Sequence, residues 1–110
     1  MVLCHNRHYT IRVDELHNGE IHYRCWLKPK SFLDKPCLSI PNGKCTESPG
    51  KDKAEFVFRH DGMTYSLERI VSKGRYAATH IFLEVTDRDN QKSTWKMEEM
   101  PLPRYLKDLL

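Results

Sequence analysis

The sequence has no apolar run near the roughly 20 residues that a membrane-spanning helix requires. Its first residues, Met1 to His8, also lack the apolar stretch of a secretory signal. No membrane association is expected, and a cytoplasmic setting is the default. Asn-X-Ser/Thr is absent, so nothing suggests an exported, glycosylated surface. Cys-X-X-Cys is absent too, and with it the usual framework of a structural zinc site. There are only five glycines, with no phosphate-cradling glycine loop, no Gly-X-Ser-X-Gly elbow and no His-Glu-X-X-His pair. Asp87-Arg88-Asp89 opens like a calcium loop, but Lys92 stands where that loop needs glycine, which leaves a solvated hairpin tip.

These absences weigh against catalysis. No catalytic residue is assigned, no cofactor or metal is expected, and an enzyme ranks last among the functions considered. Cys4, His5 and His8, with His22 and Cys25, are residue types that bind zinc, but their spacing departs from known frameworks. The four cysteines, Cys4, Cys25, Cys37 and Cys45, are expected to be free thiols in a reducing compartment.

What is present is alternation. The chain of 110 residues is the usual size of one domain, and its 39% hydrophobic content is enough for an ordinary core. Tyr9, Ile11 and Val13 fall at every second position, as do Ile21, Tyr23, Cys25 and Leu27, which predicts two half-buried strands. A two-residue Asn18-Gly19 turn would set Asp14 opposite Tyr23. A three-residue loop instead pairs Val13 with Tyr23, Ile11 with Cys25 and Tyr9 with Leu27, so the longer loop is expected. In the second hairpin Phe56 and Phe58 match Leu67 and Tyr65 only across a two-residue Asp61-Gly62 turn. In the third, Ile81, Leu83 and Val85 share a face with Trp95 and Met97 if Asp87 to Gln91 form the loop.

From Lys28 to Lys53 four prolines interrupt the chain, and a long basic loop is predicted, with a short strand over Cys37 to Ile40 inside it. At the C-terminus Pro103 precedes Leu106 and Leu109, and Leu102, Leu106 and Leu109 recur at helical spacing, which predicts a short closing helix. The expected fold is mainly β: an antiparallel meander forming a curved sheet or partly open barrel of about six or seven strands, in a single domain, with that helix at its end.

Three binding functions follow from surface and interior. Protein interaction, by self-association or by inhibition of a partner, ranks first, with Leu102, Tyr105, Leu106 and Leu109 as the docking residues. Single-stranded nucleic acid ranks second. The net charge of +3 is mild, but the stretch from Arg24 to Lys53 holds seven basic residues against three acidic ones, and Arg24, Trp26, Lys28, Lys30 and Phe32 interleave charge with aromatic rings. The plainer reading of Trp26 is that the long loop covers it. An apolar ligand inside the barrel ranks third, because the inward side chains Tyr9, Tyr23, Phe56, Phe58, Tyr65 and Trp95 are bulky enough to fill the interior themselves.

Overall fold

The computed structural model describes residues 2–30, 34–50, 52–74 and 78–100. They form nine antiparallel strands: β1 (Val2–His5), β2 (Tyr9–Glu15), β3 (Ile21–Leu27), β4 (Leu38–Ile40), β5 (Lys44–Glu47), β6 (Lys53–His60), β7 (Met63–Ser72), β8 (Ala78–Thr86) and β9 (Lys92–Glu99). Their spatial order is β4-β3-β2-β1-β9-β8-β7-β6-β5, a sheet curled into a half-barrel. Among the described residues there is no helix, and therefore none long and apolar enough to cross a membrane. The predicted C-terminal helix, with Leu102, Tyr105, Leu106 and Leu109, lies outside the described residues, as does Phe32.

The three hairpin registers follow the apolar alternation. Val13 faces Tyr23, Ile11 faces Cys25 and Tyr9 faces Leu27, with Gly19 at φ 86° closing the loop. Phe56 and Phe58 face Leu67 and Tyr65 across Asp61 and Gly62, whose φ values of 51° and 77° are those of a type I′ turn. Thr86 pairs with Lys92, so Asp87 to Gln91 form the third loop, and the Asp87 carboxylate accepts from the amides of Asp89 and Gln91 at 2.9 Å. That carboxylate organises the hairpin tip through its own backbone.

The count of six or seven strands is corrected to nine, because β1 and β5 also form. Neither shows alternation. Val2, Leu3 and Cys4 are all buried, as befits a strand covered on both faces, and β5 is exposed along its length. β5 also divides what reads in sequence as one long loop, pairing Lys44 with Val57 and Cys45 with Phe56.

The two edges of the sheet are consecutive strands. β4 and β5 are joined only by Pro41, Asn42 and Gly43, so the sheet must curl to bring its edges together, and the Gly43 amide donates to the Ile21 carbonyl at 2.8 Å. A β-carbon on Gly43 would collide with the Phe58 ring, which is why the link needs glycine there. On the opposite side of the curl β1 meets β9 through Cys4 with Glu99 and His5 with Glu98, and the Met100 amide donates to the Leu3 carbonyl at 2.8 Å. The concave face buries Cys4, Ile11, Val13, Leu67, Ile81 and Met97 at the centre of the core.

Candidate functional site

Toward the end where β2 begins and β3 ends, the concave face is not filled. A cup of about 350 Å³ opens there. Its floor is aromatic: Tyr23 packs against Phe58 at 5.3 Å and against Tyr65 at 5.4 Å between ring centroids, both pairs tilted. These distances and tilts are those of favourable ring contacts. One wall is Leu83, Val85 and Trp95 from β8 and β9, and Tyr9 and Leu27 stand at the end of the β2–β3 hairpin. The opposite wall is Cys25 with Cys37 and Leu38. Leu38 pairs with Cys25, and the Cys37 amide also donates to the Cys25 carbonyl at 2.9 Å, so two consecutive residues oppose one.

The lining contains no carboxylate, histidine, lysine or arginine among the described residues. Its polar side-chain atoms are hydroxyls, sulfurs and the Trp95 indole nitrogen. Burial pushes the Tyr23 phenol far above its ordinary value, with Cys25 and Tyr65 adding to the shift, so the hydroxyl keeps its proton. Burial likewise raises the Tyr65 phenol, whose hydroxyl donates to the Met63 thioether at 3.8 Å. Sulfur is a weak acceptor. Both hydroxyls therefore retain most of their capacity to bind an oxygen.

The second mouth of the half-barrel has a different character. Val13, Ile21 and Phe56 are joined there by Glu15, Glu47 and Cys45, and burial, then Glu47 and Glu15, raise the Cys45 thiol.

The residues read as a nucleic-acid surface are dispersed in role. Trp26 is 1% exposed and its Nε1 donates to the Asp34 carbonyl at 2.8 Å, so the long segment covers it as the plainer reading has it. Its ring is not a free stacking surface. Arg24 reaches the Asp14 carboxylate at 3.3 Å, which also accepts from Arg12 Nε at 2.7 Å. Lys28 lies 3.0 Å from His5 Nδ1, and Lys30 is exposed beyond the end of β3. The cysteine and histidine set does not converge either. Cys4 and Cys25 face the core, whereas His22 pairs with Glu20 and His8 is exposed. No group of three metal-ligating side chains forms among the described residues.

Of the cup, Tyr9, Tyr23, Tyr65 and Trp95 are inward positions that alternation identifies, but they border a void rather than close it. Cys37, Leu38 and Met63 are additions that sequence reasoning missed. For Met63 the signal was there, since it sits two residues before Tyr65 on the same face. For Cys37 there was none, because its inward placement depends on the doubled contact with Cys25. No protein-family model, curated protein or solved structure matches this chain.

Proposed function

We infer that the protein binds a neutral, largely apolar small molecule carrying an oxygen acceptor, held in the cup between β3, β4 and the β7–β8–β9 wall. The observation that carries this reading is the cup itself. At about 350 Å³ it falls within the size of small-molecule sites, and its lining is apolar and aromatic with a few convergent polar groups. The absence of ionisable carboxylate, histidine, lysine and arginine from the described lining favours an uncharged ligand, since a charge buried without a partner is costly. The hydroxyls of Tyr23 and Tyr65, which border the cup, supply the donors for the ligand's oxygen, the second of them now directed at the Met63 sulfur.

The test is titration with a fluorescent apolar probe such as a naphthalene dye, followed by competition with uncharged ketones, alcohols and esters. Saturable binding at one site, competed by neutral oxygenated molecules and flat between about pH 6 and 8, is expected, because the described lining holds no histidine, carboxylate, lysine or arginine. Leu38→Arg, on the wall of the cup and at the sheet edge, should abolish binding while thermal unfolding stays cooperative. Equal probe binding by this variant and the parent would remove the cup as the site.

A further inference from the structure

Cys25 and Cys37 stand on the same wall of the cup and are joined by the backbone hydrogen bond from Cys37 to Cys25. Cys37 immediately precedes Leu38, the ladder partner of Cys25, and this doubled contact sets the two cysteines side by side on neighbouring strands. Disulfides join residues so placed when their Cα atoms lie about 4.4 to 6.8 Å apart. Burial raises the Cys25 thiol, and the neighbouring Cys37 adds to it. Neither other cysteine competes. Cys4 is separated from Cys25 by the whole of β2, since both flank Ile11, and two strand spacings come to about 9.5 Å. Cys45 belongs to the other mouth. Cys37 is exposed and Cys25 is buried behind it.

We propose that Cys25 and Cys37 form a redox modification site, which a small-molecule disulfide of the glutathione class oxidises to an intramolecular disulfide that clamps one wall of the cup. The exposed Cys37 thiolate attacks a sulfur of the oxidant, whose S–S bond breaks and releases one small thiol. The Cys25 thiolate then attacks the Cys37 sulfur, breaking the mixed disulfide and releasing the second small thiol. Two protein thiols are oxidised, one small disulfide is reduced, and the two protons pass to the released thiols. Burial holds Cys25 protonated near neutral pH, so the second step is the slow one and accelerates about tenfold per pH unit. The product closes the segment between β3 and β4, whose interior already anchors to Trp26 through Asp34.

The clamp concerns the cup inferred above to hold a ligand, but the chemistry is read without any ligand. The full chain is equilibrated with glutathione disulfide, free thiols are alkylated, and tryptic peptides are mapped by mass spectrometry; cleavage after Lys30 separates the two cysteines. One link between Cys25 and Cys37 is expected, with Cys4 and Cys45 alkylated and Tm raised by about 10 °C. The exposed-site variant Cys37→Ser should lose that rise, and Cys45→Ser should keep it. Free Cys25 and Cys37, a mixed disulfide that persists on Cys37, or a link between chains would overturn the proposal. Oxidation is expected to weaken binding of the naphthalene dye by roughly tenfold, because the wall no longer yields; unchanged affinity overturns the clamp. If the dye binds neither form, the ligand reading alone fails, and the peptide map still decides the disulfide.

Discussion

Phe58 meets three parts of the molecule at once: the Tyr23 ring from β3, its ladder partner Tyr65 on β7, and the Gly43 backbone that links the two sheet edges. It is 1% exposed. Removing the ring leaves a cavity under the floor of the cup and releases the edge link, so Phe58→Ala should cost about 3 to 5 kcal/mol in urea unfolding. A loss under about 1 kcal/mol would place the ring outside the core. Asp14 illustrates a different residue-level balance. Its Oδ2 is held by Arg12 and Arg24, whereas Oδ1 is buried without a hydrogen-bond partner. Arg12 also lies over Trp26, 5.6 Å from the ring centroid, so charge, cation–π contact and apolar packing share one patch on the convex face. Alternation assigns that face to solvent. It is buried because a segment without periodic pattern returns across it.

At the scale of elements, the long hairpins were legible because two independent constraints agree: the face of each apolar residue and the number of residues in the turn. β6 to β9 and the β2–β3 pair all satisfy both. β1 and β5 were not legible, since one is buried on both faces and the other on neither, and period two carries no information in either case. The cup shares this limit. Its inward aromatics could be read, but the space between them depends on how tightly the sheet curls, which no local pattern encodes. The same element view ranks local stability. The seam between β1 and β9 holds only the Cys4–Glu99 and His5–Glu98 pairs with one flanking amide, while β7 and β8 pair along nine residues each way. Native-state hydrogen exchange should therefore find the Met100 amide opening well before those of Leu67 and Leu83. Equal protection at all three would mean that the half-barrel opens only as one unit.

Across the whole molecule, the most deeply buried acids of the core are two thiols and a phenol kept neutral by burial, and this sets how the fold responds to pH. Burial pushes the Cys4 thiol from 9.0 to about 12, with Glu99 and Cys25 adding to it, and the Cys25 thiol from 9.0 to about 11; the Tyr23 phenol is also raised from 10.0. Each group ionises in the unfolded chain at lower pH than in the folded one. The folded state thus holds more protons above about pH 9, and the sign of the linkage makes stability fall as pH rises. Below that value the contribution of these groups is fully present and independent of pH. Above it each group removes about 1.4 kcal/mol per pH unit until its folded value is reached. These three groups act together by pH 10 to 11, a loss comparable with the roughly 5 to 15 kcal/mol by which domains are stable. Circular dichroism melts at successive pH values should show a Tm that is level to about pH 8.5 and then declines steeply. Cys4→Ala, which removes one of the three, should make the decline shallower even as it lowers the plateau. A Tm that stays level to pH 11 would mean that these side chains meet water in the folded state, and the neutral, sulfur- and hydroxyl-lined cup would lose its physical basis with them.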